Sequence, residues 1–250
     1  MKLLLINPNT TQAMTDRLER VARTAAHPDT EIITLTAPRG VPYIASRSEA
    51  AIAAHVVLEM LAAHAPSVDA AVIGAFGDPG LLAARELFDL PVTGMAEASM
   101  LSACMLGARF AIVTFTPDMR AWYSQAVALA GLERRFAGVF CPETHPEDVV
   151  GAAERQREAL VALADQAARA GADAVILGGA PLAGLAGEIG HMLPAVALDP
   201  VSAAVVQAEA LVRLAPRGAC LGSFARPRAK ASTGLDPVLA AWIAQTKTGR

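Results

Sequence analysis

An internal duplication constrains this chain more than any other feature. Asp69-Ala-Ala-Val-Ile-Gly-Ala75 matches Asp173-Ala-Val-Ile-Leu-Gly-Gly179, 104 positions later. Gly80-Leu81 meets Gly184-Leu185 at the same offset, and Leu90-Pro91 meets Leu193-Pro194 at 103. The apolar run ending at Asn7 has a counterpart ending at Thr114. Matches in order at nearly constant spacing indicate a repeated supersecondary unit.

Within each repeat, short apolar runs alternate with segments of helical period. Strands are expected at Leu3–Ile6, Glu31–Leu35, Ala70–Ile73, Pro91–Thr93, Phe110–Val113, Phe136–Phe140, Ala174–Leu177 and Pro194–Ala197. Ser46-Arg47-Ser48-Glu49 has capping-box spacing and opens a helix running to about His64. This alternation predicts an α/β fold of two pseudo-symmetric parallel-sheet domains with helices on both faces. The first domain is expected over 1–97 with the tail 210–250 packed back on it, and the second over 98–209. The tail Arg217–Ser232 reads as an irregular crossing before a last helix at Pro237–Gln245.

Composition then excludes several classes. With 54% hydrophobic residues and net charge -3, the 250-residue chain is neither disordered nor a nucleic-acid binder working through bulk charge. Alanine accounts for 55 positions, so much of the apolar content is helix-building material. Three cysteines make no disulfide scaffold and point to a reducing, cytoplasmic setting. The longest relevant uncharged apolar stretch, Ala174–Ala186, contains three glycines and a proline and is too short for a membrane span of about 20 residues. The N-terminal apolar run is too short for a signal peptide. Neither membrane nor nucleic acid is expected as a partner.

A site is expected beyond the carboxyl ends of the strands. Asp78-Pro79, Thr116-Pro117 and Asp199-Pro200 each place a cap-type residue before a proline, and Ala180-Pro181 repeats the pattern without the polar cap. Each acid alone is explained by capping. Together they predict helix N-termini converging on a crevice, where free N–H groups favour an anion. Asn7, Asn9, Thr10, Thr11, Thr114 and Thr116 belong to the same crevice, and few Lys or Arg do. The expected ligand is small and carboxylate-bearing, held by backbone and hydroxyl donors. Gly74, Gly77 and Gly80 are spaced GxxGxxG, which is no dinucleotide fingerprint, and no phosphate loop is present. The five histidines show no paired ligand spacing, so no metal is expected. They read as surface or helix-packing residues, with His55 in the core.

Ile6-Asn7-Pro8-Asn9-Thr10-Thr11 after the first strand resembles the opening signature of hydantoin racemases, within the aspartate/glutamate racemase superfamily. Phe76-Gly77-Asp78-Pro79-Gly80-Leu81, Gly94-Met95-Ala96-Glu97-Ala98, Val113-Thr114 and Pro181-Leu182-Ala183-Gly184-Leu185-Ala186 fit the same pattern, in order over nearly the whole chain. The resemblance implies an active site between two domains, no cofactor and a homo-oligomer. Substrate contacts would come from Asn7, Pro8, Asn9 and Thr10, then from Ala75, Phe76 and Gly77. The second half would add Thr114, Phe115 and Thr116, then Gly179, Ala180 and Pro181.

The resemblance also implies chemistry by two cysteines, one per domain, that remove and return a proton beside a carbonyl. Those positions hold Ala75 and Gly179, which are the duplicated pair. Cys104 reads as a small buried hydrophobe, Cys141 follows a strand end, and Cys220 lies in the tail. Catalytic groups are therefore left open, with Asp78, Tyr43, Thr114, Thr116 and Asp199 as candidates. Asp78 adjoins the altered position, although capping accounts for it. The first expectation is a cofactor-independent isomerase or lyase acting next to a carbonyl or carboxylate. The alternatives are a catalytically silent carboxylate-binding protein on the same fold, and a structural subunit.

Overall fold

The computed structural model describes residues 1–215 and 222–246. Strands β1 (Lys2–Asn7), β2 (Glu31–Thr36), β3 (Ala70–Ile73) and β4 (Val92–Gly94) form one parallel sheet in the order β2-β1-β3-β4. Strands β5 (Phe110–Val113), β6 (Phe136–Phe140), β7 (Ala174–Leu177) and β8 (Val196–Leu198) form a second, in the order β6-β5-β7-β8. The second order repeats the first, strand for strand. β4 and β8 begin after Pro91 and Pro194, not at them, because proline has no N–H for the ladder.

Helices α1 (Gln12–Ala25), α2 (Arg47–His64), α3 (Leu81–Leu87), α4 (Met95–Leu106) and α5 (Arg120–Leu129) are followed by α6 (Ala152–Arg155) and α7 (Arg157–Arg169). The chain continues through α8 (Leu185–Ile189), α9 (Pro200–Leu214) and α10 (Pro237–Ile243). The Ser46 hydroxyl accepts from Glu49 N–H at the start of α2, while the Glu49 carboxylate accepts from Ala45 N–H, so the capping box is built. By length and composition α2 with its short extension to Ser67 would cross a membrane. In this fold its Val57, Leu61 and Ala62 are buried against β1 and β3.

The helices that close each half cross over. α4 follows β4 yet packs against β5, β7 and β8 of the other sheet. α9 follows β8 yet packs against α1, β3 and β4. The two also pack on each other, and Ala96, Ala98 and Ala103 of α4 with Ala204 and Ala208 of α9 are buried there. Alanine at these positions lets the helices approach closely. One apolar cluster consequently runs through both sheets, from Leu3, Leu5 and Val72 to Phe110, Ile112 and Ile176.

The tail helix α10 docks on the first half. Trp242 is buried edge-on to Phe88, and its Nε1 donates to the Ala62 carbonyl at 3.0 Å. The irregular crossing expected over Arg217–Ser232 lies outside the described residues up to Leu221. Beyond it runs a single short turn, Gly222–Phe224, and then chain without regular structure to Ser232.

His55 corrects an expectation. It is not in the core: its side chain is 43% exposed and its Nε2 lies 3.0 Å from Glu59 Oε1. The residue falls on the outer side of α2, between the buried positions Ala53 and Val56.

Candidate functional site

The C-terminal ends of both sheets converge on a small cavity. Asn9 reaches it from the β1 loop, Tyr43 and Ile44 from the segment after β2, and Ala75 and Phe76 from the β3 loop. Trp122 and Tyr123 reach it from α5, and Gly179 and Ala180 from the β7 loop. Its free volume is about 20 Å³, room for about one water molecule. The duplicated pair Ala75 and Gly179 therefore faces one space from two halves.

The lining is aromatic. Phe76 meets Tyr123 edge-on with centroids 4.7 Å apart, Trp122 and Tyr123 lie at 6.1 Å, and Tyr43 and Phe115 at 5.9 Å. The Trp122 indole rests on the Gly77 backbone and roofs the cavity. Both tyrosines of the chain and one of its two tryptophans meet here. Sequence reasoning missed Trp122 and Tyr123. Their signal was scarcity, since so few polar aromatics are otherwise present.

Burial pushes the Tyr43 and Tyr123 phenols far above their ordinary range, so both stay neutral donors at physiological pH. The Tyr123 hydroxyl faces Thr114, whose Oγ1 is fully buried and makes no hydrogen bond of good geometry. The Asn9 carboxamide oxygen is taken by Asn7 Nδ2 and Thr11 N–H.

The backbone supplies further donors. Among the described residues, the N–H groups of Ala75, Phe76 and Gly77 reach no acceptor, and neither do those of Gly179 and Ala180. Two N–H clusters, one per half, thus stand at equivalent strand ends. Such clusters bind anions without a cationic side chain. No Lys, Arg or His lines the cavity among the described residues.

Other expected residues are placed elsewhere. Asn7 is spent inside its own loop, donating to Asn9 Oδ1, the Thr11 carbonyl and Thr15 Oγ1. Thr10 is bound through its N–H to the Val41 carbonyl, and the Thr11 hydroxyl donates to the Pro42 carbonyl. Pro8 and Pro181 are buried packing residues. Thr116 caps the turn Pro117–Met119 that leads into α5.

The convergence of free helix N-termini is corrected. The starts of α9, of α4 and of the turn Pro117–Met119 are occupied by side chains. Asp199 takes Val201 and Ser202 N–H at the start of α9 and also Gly184 N–H before α8. Burial pushes its carboxyl above the ordinary carboxylate range, making it a weaker acid. Asp78 does not cap the helix that follows it, because α3 begins only at Leu81, after Gly80. Its carboxylate instead accepts from Ala96 and Glu97 N–H, each at 2.8 Å, in the first turn of α4. The N–H groups left without a partner thus lie in the β3 loop, at Ala75–Gly77, and at the uncapped start of the short turn Ala180–Leu182.

Neither Cys104 nor Cys141 lines the cavity. Cys104 is half-buried in α4, not fully buried as expected. Cys141 is buried, and Arg120 Nη2 donates to its Sγ at 3.1 Å. Cys220 lies outside the described residues. Among the described residues no group of His, Cys, Asp and Glu side chains is arranged to hold a metal ion.

A family model described as Asp/Glu/Hydantoin racemase matches residues 3–208. The chain belongs to that family. As a member of the Asp/Glu/Hydantoin racemase family, it is similar to a hydantoin racemase of Pseudomonas sp. (strain NS671), at 35% identity over 240 residues, covering 94% of this chain and 95% of the relative. Among solved structures, allantoin racemase from Klebsiella pneumoniae superposes with a TM-score of 0.85 at 37% identity, covering 94% of this chain and 96% of that one. Allantoin racemase from Pseudomonas fluorescens gives 0.86 at 31% identity, covering 94% and 100%. The two-sheet architecture of this family member is thus that of racemases.

Proposed function

We propose that this family member is a cofactor-independent isomerase or lyase, working in the cytoplasm as a homo-oligomer. It would act next to a carbonyl or carboxylate of a small anionic amino-acid- or hydantoin-like substrate, by a route other than two thiols. One observation carries the reading: the cavity lined by Ala75 and Gly179 is also lined by two neutral tyrosines, beside two strand-end loops whose backbone N–H groups have no partner among the described residues.

These are donors aimed where negative charge develops when a carbon beside a carbonyl becomes planar. The N–H clusters hold the enolate oxygens. The enolate forms without a base as the bond from the α-carbon to a departing carboxylate breaks and CO₂ leaves; a phenol then supplies the proton, its O–H breaking as the new C–H forms, and the phenolate regains a proton from water. Asn9 and Trp122 orient and cover the substrate. No group there is an ordinary base at neutral pH, which favours a step needing an acid more than a base.

The test is α-proton exchange in D₂O, followed by NMR, on resolved 5-substituted hydantoins, the matching amino acids and their α-carboxylated analogues. Exchange or C–C cleavage is expected, unchanged after full alkylation of the cysteines with iodoacetamide. Activity abolished by alkylation would sink the non-thiol route. The lack of an ordinary base among the described residues that line the cavity favours a second reading, a catalytically silent carboxylate-binding protein. Tight binding with neither exchange nor cleavage across the panel would establish that reading instead.

A further inference from the structure

Asp78 combines features that capping alone does not require. Among the described residues, only Asp78 and Gln245 carry a side chain on a left-handed backbone, and Asp78 has φ +51°. Such strain persists where the surroundings impose it. Here the imposing contacts are visible. Each carboxylate oxygen takes one backbone N–H of α4, from Ala96 and from Glu97. Gly94 gives the carboxylate its space, since a Cβ there would lie 2.2 Å from Asp78 Cγ. On the loop side, Asp78 N–H donates to the Ala75 carbonyl at 3.1 Å.

The chain therefore runs from one N–H cluster to the other through Asp78. Ala75–Gly77 is held by the Asp78 backbone, Asp78 by the first turn of α4, and α4 packs on β7, whose loop carries Gly179 and Ala180. We infer that Asp78 is a positioning residue: its carboxylate locks the β3 loop to α4 and sets the Ala75–Gly77 N–H groups in register with those of Gly179 and Ala180. The catalytic consequence rests on the enzyme reading above; the structural lock does not.

The lock is also sensitive to protons. The ionisable groups around Asp78 are Glu97 on α4 and Arg85 on α3, paired with each other, and Tyr123 on α5. Burial lifts the Asp78 carboxyl from 3.8 to about 7, with Glu97 adding to the rise and the two N–H bonds and Arg85 opposing it. Below that value the acid form loses its charge, and both charge-assisted bonds weaken. The two N–H clusters are then held less firmly.

Asp78→Asn tests the lock, because asparagine tolerates this backbone conformation and keeps the volume. It offers one acceptor oxygen and turns an NH₂ towards the second N–H. In ¹H–¹⁵N spectra of the intact protein, the amides of Ala75–Gly77, Ala96, Glu97, Gly179 and Ala180 should titrate together near pH 7. That titration should vanish in Asp78→Asn. Persistence of the titration in the variant, or silence of Gly179 and Ala180 in the unmodified protein, would overturn the inference whatever the enzyme assay shows. In the exchange assay, Asp78→Asn should lower kcat about 10- to 100-fold at pH 8 and flatten the profile between pH 6 and 8. Gly94→Ala, which crowds the carboxylate from the other side, should reproduce the flattened profile. A full, pH-dependent rate in both variants would overturn the positioning role while leaving the enzyme reading standing.

Discussion

Phe115 occupies the space that a side chain on Gly179 would need: a Cβ there would lie 2.9 Å from the ring. Gly179 also has φ +127°, a conformation that side chains rarely adopt. The position is thus shaped around glycine, and a thiol cannot simply be returned to it. Ala75 has no positive φ and only borders the cavity.

Restoring cysteine should therefore be asymmetric. Ala75→Cys should fold with a Tm within about 2 °C of the parent. Gly179→Cys should lose about 1–3 kcal/mol to backbone strain. The double variant should gain no racemisation. Thermal melts and chiral chromatography of incubated hydantoins would check this, and ready racemisation by the double variant would show that the β7 loop adapts.

Trp122 should control substrate size. The cavity is too small for a hydantoin ring, and the indole that lies against Gly77 is the lining side chain expected to move aside for one. Trp122→Ala should shift kcat/KM towards substrates with bulkier substituents by about tenfold or more. Comparing 5-methyl- and 5-benzylhydantoin would measure it. Equal changes for both would mean that the roof does not discriminate.

Tyr123→Phe removes a hydroxyl and little volume. If that hydroxyl meets the developing oxyanion, kcat should drop about 10²–10³-fold with KM little altered. Because burial holds the phenol neutral, this loss should be the same at pH 6 and pH 8. A loss confined to one end of that range would argue that the resting phenol titrates between pH 6 and pH 8 and is not held neutral by burial.

Asp78 should also leave a mark on stability. Its folded-state value is raised above 3.8 to about 7. The folded form therefore holds the proton more tightly than the unfolded chain. The resulting stabilisation is fully present below pH 3.8 and is lost as pH rises through about 7. Chemical denaturation should find the parent losing stability relative to Asp78→Asn across that window. A parallel course would place the carboxyl in a less buried setting.

The tail offers a structural control. Trp242→Ala should cost about 3–5 kcal/mol, since the indole packs on Phe88 and donates to Ala62. Urea titration would show it. An unchanged midpoint would mean that α10 contributes nothing to the first half.

Much of the fold was legible because it is written twice. All eight strands lie where apolar runs mark them, shifted only where Pro91 and Pro194 delay the ladder. The pairing of Ala75 with Gly179 was legible for the same reason. The partners of Asp78 were not: Ala96 and Glu97 lie 18 and 19 positions away, and a local Asp-Pro signal points to the wrong helix. Trp122 and Tyr123 were hidden because their helix follows β5 by a turn, and nothing local shows which face meets the other half. His55 misled because an apolar helix of small residues has no sharp polar stripe to place it.

The crossing of α4 and α9 bears on how such a chain arose. Each half closes with a helix that covers its neighbour's sheet, not its own. A single ancestral half would have left one face of its own sheet partly uncovered and its last helix without a seat. It would have been complete only as a symmetric pair trading that helix. Each half of the present chain thus completes the core of the other, as two subunits exchanging a helix would.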